Sequence, residues 1–134
     1  MPLTDYRCHS RLRVRWAEID MQRIVFNAHY LTYFDTAITD YWRALALPYD
    51  DAMHTLGGEP YLKKVTLEYH ASAREGDMLT IGMRCLRVGN SSMLFEGGIF
   101  RGEQLLVSGE LIYVFADPAN QRPTPVPALL RELF

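Results

Sequence analysis

The sequence is poor in cysteine. Only Cys8 and Cys85 occur among its 134 residues, far apart in the chain. This spacing matches no metal-binding pattern, and two isolated thiols are typical of a reducing compartment, where disulfides are rare. The simplest interpretation is that both are small apolar side chains in the interior. We therefore predict neither a disulfide framework nor a metal site, and we expect no cofactor.

Long hydrophobic runs and an excess of positive charge are also missing. No stretch approaches the ~18 apolar residues of a membrane span, and residues 1–7 lack the apolar core of a signal peptide. We therefore expect a cytoplasmic protein without a membrane partner. The net charge of −2 argues against nucleic-acid binding, which needs a basic surface. It does not exclude an anionic small molecule, because a few local cations suffice for one.

Two familiar catalytic motifs are absent as well. The sequence has no Gly-x-Ser-x-Gly segment and no plausible Ser/His/Asp set, which makes a serine hydrolase an unlikely class. It also has no glycine-rich loop of the kind that binds nucleotide phosphates. What is present, 49% hydrophobic and 22% charged residues, is typical of a globular protein. The length predicts one domain over residues 1–134.

Hydrophobic periodicity predicts the order of the elements. Alternation predicts a strand over 9–16, with Leu12, Val14 and Trp16 on the inner face and arginines on the other. A helical period follows from Tyr30 to about Leu47, where Pro48 ends the helix. Its apolar stripe consists of Leu31, Phe34, Ile38, Tyr41, Trp42 and Leu45.

The second half of the chain is rich in strand patterns. After a loop with a possible helical turn at 51–56, strands are predicted over 61–73, 78–88, 92–100 and 105–115. The last of these is apolar on both faces, which favours an interior position in the sheet. A proline-rich connector at 122–127 leads to a short terminal helix at 128–134. A single long helix with one apolar face must be covered by this antiparallel sheet.

The segment between the first strand and the helix carries the chemistry. Asp20 lies in an irregular stretch, and the helix begins near Asn27-Ala28-His29. A helix N-terminus offers unpaired backbone N–H groups and a partial positive charge, while a carboxylate offers a base or a nucleophile. A carboxylate at this place can equally be a turn or helix cap.

The order of motifs resembles the hotdog fold, and more narrowly the 4-hydroxybenzoyl-CoA thioesterase-like acyl-CoA thioesterases. The similarity is carried by Trp16, Asp20, Ile24-Val25-Phe26 and the helix start at 27–31. It continues through 73–79, the hairpin at 89–92 and the segment at 122–127, and so spans nearly the whole chain. The resemblance implies an α+β hotdog fold, in which a five-stranded antiparallel sheet wraps one long central helix.

The resemblance also implies roles for three residues. Asp20 would act at the carbonyl carbon as base or nucleophile, and the backbone N–H of Asn27 would stabilise the oxyanion. His29 would contact the substrate or Asp20, although it is more simply explained as a helix N-terminal residue. This sequence departs from the family pattern in carrying Arg23 where many members have glycine, and Asn27 and His29 where other polar residues are common.

Other parts of the site are predicted with less support from the pattern. Asp35 is a second carboxylate candidate on the helix. The CoA phosphates would meet cations and hydroxyls at Arg87, Ser91, Ser92, Lys63, Lys64 and Arg74. The acyl pocket, for a chain or a ring, would be lined by Phe26, Tyr33, Met53 and Tyr61.

The expected function is hydrolysis of an acyl-CoA thioester to free acid and CoA. Two alternatives remain open at this point: an enoyl-thioester dehydratase, which would use His29 with Asp35, and a non-catalytic acyl-thioester binding module. Since a sheet of this size exposes an edge and hotdog proteins pair their sheets, we expect a homodimer or a homotetramer with the active site at the subunit interface.

Overall fold

The fold consists of one antiparallel sheet and one main helix. The computed structural model describes residues 2–44 and 57–133. Five strands in the order β1-β3-β4-β5-β2 form the sheet, and every neighbouring pair is antiparallel. The strands are β1 (Cys8–Arg13), β2 (Glu59–Tyr69), β3 (Met78–Val88), β4 (Ser92–Arg101) and β5 (Gln104–Ala116). The predicted hotdog arrangement is confirmed, and β5 occupies the interior position that its two apolar faces indicated.

Helix α1 (His29–Ala44) packs against one face of this sheet. Its buried residues recur at three- and four-residue intervals, the period of an amphipathic helix; they are Tyr30, Tyr33, Phe34, Ala37, Ile38, Tyr41 and Trp42. The predicted stripe is confirmed from Phe34 to Trp42, while Leu31 is only half-buried at its margin. Leu45, the predicted helix end at Pro48 and the predicted turn at 51–56 lie outside the described residues.

Two glycines of the sheet set the depth at which the helix lies. Gly97 on β4 and Gly109 on β5 are directly opposite each other. A Cβ atom added at Gly97 would lie 2.5 Å from Cε1 of the Phe34 ring, and one at Gly109 would lie 3.2 Å from Cε2. Because neither strand carries a side chain here, the fully buried Phe34 ring rests directly on the backbone of the sheet.

The first predicted strand is too long, and its inner face was assigned wrongly at one end. Strand β1 ends at Arg13, and Trp16–Glu18 form a short 3₁₀ turn. Val14 is buried as predicted, but Trp16 is 77% exposed. The reason lies in the partner: the Val14 amide still donates to the carbonyl of Asp77, one residue before β3, but the partner chain turns there and the pairing ends.

The C-terminal segment closes the far end of the sheet. The connector donates a hydrogen bond from the Val126 amide to the Asn90 carbonyl, and the Arg131 guanidinium donates to the carbonyls of the same hairpin. Helix α2 (Ala128–Leu133) confirms the predicted terminal helix and buries Leu130. Within residues 2–44 and 57–133, no helix combines the length and the apolar character that crossing a membrane requires.

Candidate functional site

The segment between β1 and α1 is fixed to the turn before β3. Its two ends are held by backbone hydrogen bonds: the Gly76 amide donates to Val14, and the Val25 amide donates to Ala73. Within the segment, Ile19 and Val25 form an antiparallel bridge. The segment is therefore an ordered loop whose backbone has defined partners, which a catalytic carboxylate requires.

Asp20 lies at the tip of this loop and is half-buried. Its backbone exchanges hydrogen bonds with Ile24 and Arg23, and its Oδ1 accepts the Gln22 amide at 2.8 Å. The turn-capping role considered for Asp20 is thus present in the structure. This capping role uses only Oδ1. Among the described residues, none donates a hydrogen bond to Oδ2.

The backbone amide of Asn27 lies just before the first turn of α1. Asn27 is exposed, and none of the described residues accepts a hydrogen bond from its N–H. Its carbonyl, in contrast, accepts the Tyr69 hydroxyl from the end of β2 at 3.1 Å. The Phe26–Asn27 peptide, which carries this N–H, is anchored on its acceptor side by the His29 amide, which donates to the Phe26 carbonyl at 2.9 Å, and it is open on its donor side.

A cleft of about 290 Å³ brings Asp20 and Asn27 together. We call it the helix-end cleft; its lining residues are Asp20, Gln22, Ile24, Val25, Asn27, Tyr30, Tyr69, Ala71 and Ser72. A carboxylate and an open backbone donor on one cleft are the two groups needed to attack a carbonyl carbon and to stabilise the resulting oxyanion. The structure thus places together the two residues that the sequence singled out most strongly.

Glu18 is a residue of this loop that the sequence analysis missed. It is only 8% exposed, its carboxylate accepts the Arg15 amide at 2.8 Å, and its carbonyl accepts the Phe26 amide at 3.0 Å. Burial raises the pKa of the Glu18 carboxyl, but the hydrogen bonds from Arg15 and the nearby Tyr33 side chain outweigh it and hold the pKa below its usual value. A buried charged side chain two residues from Asp20 therefore lies close to α1.

Tyr30 ties the same region together from the helix side. Its hydroxyl accepts the Ala73 amide at 3.0 Å, and its ring packs edge-on against Tyr33 and Tyr69. The Ala73 carbonyl in turn accepts the Val25 amide. Helix, loop and the chain after β2 therefore meet around one buried hydroxyl. Sequence periodicity marks Tyr30 only as the start of the helix and gives no sign of this contact.

The other carboxylate and histidine candidates lie away from the helix-end cleft. His29 is the first residue of α1, and its ring contacts the Phe26 ring edge-on at a centroid distance of 5.7 Å. Asp35 is exposed on the helix and lines neither this cleft nor the neighbouring one. No observation joins His29 to Asp35, so the pairing that a dehydratase would use gains no support.

The residues suggested for an acyl pocket are scattered. Tyr33 is buried in the core, and Phe26 is 45% exposed outside the cleft. Tyr61 lies on β2 with its hydroxyl 3.4 Å from Glu59, and Met53 lies outside the described residues. The predicted pocket does not form from these side chains within the described part of one chain, and the helix-end cleft has a different lining.

A second cleft of about 370 Å³ shares Asp20 with the first. We call it the arginine cleft; it is lined by Trp16, Ile19, Asp20, Arg23, Arg74 and Glu75. Arg23 has a φ of 66°, in the left-handed region that favours glycine, which explains why many family members carry glycine there. Arg74, predicted to bind CoA, is the one member of the predicted phosphate-binding set that lies beside Asp20.

The remaining candidates for CoA binding lie elsewhere on the chain. Arg87 is near the end of β3, and Ser91 and Ser92 are at the hairpin that follows. Because β3 starts close to the Arg74 turn and rises about 3.3 Å per residue, Arg87 lies roughly 30 Å away from that turn along the strand. Lys64 and Lys63 are exposed on β2. Within one chain, these residues are not brought to Asp20.

The described residues do not form a serine-centred site either. Ser10 is buried on β1 and donates a short hydrogen bond to Asp40 of α1, in a smaller cleft of about 220 Å³. The neighbouring His9 ring instead contacts the carbonyl of Leu3 at 2.9 Å. No histidine among the described residues stands between the serine and the aspartate, so this pair has no relay to activate the hydroxyl.

The comparisons with known proteins agree with this architecture. The family described as Thioesterase-like superfamily matches residues 14–134. The protein named acyl-CoA thioester hydrolase YbgC from Escherichia coli is 28% identical over 120 residues, which cover 87% of each chain. The family match includes the loop with Asp20, the start of α1 and the whole sheet after β1.

Solved structures share the fold over almost the full length. A hypothetical protein from Aquifex aeolicus superposes with a TM-score of 0.86 at 21% identity and covers 94% of this chain and 98% of its own. A 1,4-dihydroxy-2-naphthoyl-CoA thioesterase from Synechocystis gives a TM-score of 0.84 at 16% identity and covers 93% of both chains. At such identities the similarity concerns the backbone arrangement.

Proposed function

The chain belongs to the thioesterase-like superfamily, and on this basis we propose that it hydrolyses the thioester of an acyl-CoA to a free acid and CoA. The observation that carries the proposal is the helix-end cleft, where the Asp20 carboxylate and the open Asn27 amide line one cavity. The names of the Escherichia coli and Synechocystis proteins, both acyl-CoA hydrolases, support the class of substrate.

In the proposed reaction the thioester carbonyl oxygen points at the Asn27 N–H. Attack at the carbon moves negative charge onto this oxygen, and a backbone donor already in place stabilises it; removing one such donor typically costs ~2.7–4 kcal/mol. The new C–O bond forms in this attack; as the oxyanion collapses the C–S bond breaks, and the sulfur leaves and takes up a proton. The His29 amide on the Phe26 carbonyl and the Tyr69 hydroxyl on the Asn27 carbonyl hold the peptides on either side of the Asn27 Cα.

Asp20 can take either of two chemical roles, and in each role every bond formed and every proton moved is accounted for. As a general base, its carboxylate takes a proton from water, and the hydroxide attacks the carbonyl carbon. As a nucleophile, the carboxylate attacks directly and forms an anhydride, which water then hydrolyses. A single turnover in H₂¹⁸O tests the nucleophilic route: when water attacks the aspartyl carbonyl of the anhydride, ¹⁸O enters the Asp20 carboxylate, whereas the general-base route places it only in the released acid.

The test of the proposal is thiol release by the variant Asp20→Asn. Because the amide oxygen of asparagine still accepts the Gln22 N–H, the turn is kept while the base or nucleophile is lost. We expect turnover of acyl-CoAs to fall by about 10²–10⁴-fold, with an unchanged melting temperature. Asp35→Asn, on the exposed face of α1, is the matched control and keeps full activity. Near wild-type turnover by Asp20→Asn would overturn the assignment.

The same assay, run over short, medium, long and aromatic acyl-CoAs, separates the other functions. Binding without release of thiol from any of them would identify a binding module. Hydration of crotonyl-CoA without thiol release would identify a dehydratase. The scattered positions of Phe26, Tyr33 and Tyr61 do not favour either a ring or a chain as the acyl group.

We propose further that the active form is a homo-oligomer. Apolar side chains surround Asp20 on the surface of one chain: Trp16 is 77%, Met21 99% and Phe26 45% exposed. Exposed apolar patches of this kind mark interaction surfaces. Arg87, Ser91 and Ser92 would then reach the CoA of a neighbouring subunit rather than their own. Light scattering should give at least a dimer mass, and Met21→Glu should reduce it.

A further inference from the structure

The arginine cleft differs from the helix-end cleft in the chemistry of its walls. It shares Asp20 with that cleft but is not lined by Asn27, and it is lined by two arginines and an exposed indole, from Arg23, Arg74 and Trp16. A thioester whose carbonyl lies at the Asn27 amide can extend one of its two halves past Asp20 toward these groups. The arginine cleft has no part in the hydrolysis step proposed above.

The backbone of Arg23 is held in a conformation that residues other than glycine rarely adopt. Its φ of 66° lies in the left-handed region, where glycine fits without steric conflict. Among the described residues, nothing forms a hydrogen bond or an ion pair with its guanidinium group. A strained, non-glycine residue that makes no compensating contact in the protein points to a role toward a ligand.

Arg74 presents the second guanidinium group from a fixed backbone. Its amide donates to Asp77 at 2.8 Å, and Asp77 is held in turn by Arg101 at 2.8 Å. The side chain of Arg74, in contrast, contacts no acceptor in the described part of the chain. The position of its Cα is thus determined while its donors remain available.

The two carboxylates of the arginine cleft do not neutralise the arginines. Asp20 and Glu75 both line it, yet no ion pair within 4.0 Å joins either of them to Arg23 or Arg74 in residues 2–44 and 57–133. Guanidinium groups suit planar anions, because their paired N–H donors match the oxygens of carboxylates and phosphates. The free donors of both arginines therefore favour an anion from outside the protein.

We infer that the arginine cleft is an anion subsite, in which Arg23 and Arg74 bind an anionic group of the substrate on the far side of its thioester. The inference rests on the proposed function and extends it to substrate selection. Two parts of an acyl-CoA supply such a group: the phosphates of CoA, or a terminal carboxylate on the acyl chain. Both offer the same anionic oxygens to the guanidinium donors.

Three thioesters separate these sources by kinetics. Pentanoyl-CoA has only the phosphates, pentanoyl-N-acetylcysteamine has no anionic group, and glutaryl-CoA has both phosphates and an acyl carboxylate. If the phosphates bind, Arg23→Asn and Arg74→Gln lower kcat/KM for both CoA esters by about tenfold and leave the N-acetylcysteamine ester unchanged. If the carboxylate binds, the loss is confined to glutaryl-CoA.

Asparagine is the replacement at position 23 because it tolerates the left-handed region, so the loop is preserved. Arg11→Gln, an exposed arginine on β1 away from both clefts, is the matched control and retains wild-type kinetics on all three esters. Glu75→Gln should act in the opposite direction and lower the KM, because it removes a negative charge beside the bound anion. Equal losses on all three esters, or no loss on any, would overturn the subsite.

Binding provides a readout that does not depend on hydrolysis. The wild type and Arg23→Asn are each titrated with CoA, and separately with glutarate, in a calorimeter. For one of these two ligands, the variant should bind about tenfold more weakly than the wild type. Equal affinities for both ligands would overturn the inference even when the wild type cleaves thioesters. A wild type that cleaves no thioester but shows the arginine-dependent binding would overturn the proposed function alone.

Discussion

The Tyr69 hydroxyl, at the end of strand β2, donates a hydrogen bond of 3.1 Å to the carbonyl of Asn27, just before helix α1. The contact links residues that are 42 positions apart in the sequence. It holds the Asn27–Ala28 peptide, whose carbonyl accepts the bond, and Asn27 itself lines the helix-end cleft. The sheet edge thereby holds the residue that carries the proposed oxyanion donor.

Removing this hydroxyl should affect catalysis more than stability. A neutral hydrogen bond contributes about 0.5–1.5 kcal/mol, so we expect Tyr69→Phe to lower kcat by about two- to tenfold. The free energy of unfolding should change little, since Tyr69 is 52% exposed. Steady-state thiol release and urea denaturation measure the two effects. Glu68→Gln, the preceding residue on the opposite face, should change neither; a kcat loss there would contradict a specific role for Tyr69.

Asp77 makes stability depend on pH in a defined direction. Burial raises the pKa of its carboxyl, but the Arg101 guanidinium and the Arg74 amide outweigh burial and hold the pKa below the usual 3.8. A lowered native pKa contributes stability that is complete above the unfolded-state pKa and is lost as the pH falls through the native value.

We therefore expect Asp77→Asn to lower the free energy of unfolding by about 1.5–3 kcal/mol at neutral pH, the range for hydrogen bonds to a charged group. The difference from the wild type should stay constant down to the usual carboxyl pKa and shrink below it, where the wild-type carboxyl is also protonated. Urea denaturation over a pH series measures it. A difference that grows on acidification would contradict the ion pair.

The contact of Phe34 with the two glycines predicts a packing effect. Alanine at Gly97 would bring its Cβ within 2.5 Å of the Phe34 ring and 2.6 Å of the Met83 sulfur, both fully buried. Overpacking of this kind costs about 1–3 kcal/mol. Gly89→Ala is the control, because its Cβ would meet chiefly the Ser92 hydroxyl, which can rotate away. Equal stability of the two variants, measured by thermal unfolding, would show that the helix does not rest on Gly97.

The conformation of Arg23 predicts a variant that is more stable than the wild type. A left-handed conformation costs an ordinary residue roughly 1–2 kcal/mol. A glycine at the same place lowers the free energy of unfolding by about 0.4–1 kcal/mol, because it gives the unfolded chain more conformational entropy. Arg23→Gly should therefore raise the free energy of unfolding by about 0.5–1 kcal/mol. Gly76→Ala is the converse: at a φ of 80° and with open space around it, it should lower stability. A destabilised Arg23→Gly would show that the Arg23 side chain supports the loop.

The sequence predicts the fold because each element is marked by local periodicity. Strand β3 is predicted at its observed bounds, and α1 differs at its start by one residue, since alternation and the helical period are properties of neighbouring residues. The wrong prediction for Trp16 arises from a contact between residues far apart in the sequence. Its alternation continues that of β1, but the pairing with the β3 side of the chain ends at Val14, because the partner chain turns near Asp77.

The site is predictable only in part, for a related physical reason. Asp20 and Asn27 stand out because the start of a helix is visible in sequence. Glu18 gives no such signal, since its burial and its contact with the helix arise only when the loop folds back. Arg23 stands out as a departure from a glycine position, yet its free guanidinium group beside Arg74 becomes apparent only in three dimensions.

Asp20 borders two clefts, and this has a consequence for the order of events after cleavage. A substrate that spans both leaves one of its two fragments in each cleft. Neither product must then wait for the other to depart. Product inhibition should accordingly follow random-order release, with the acid and the thiol each binding to the free enzyme independently of the other.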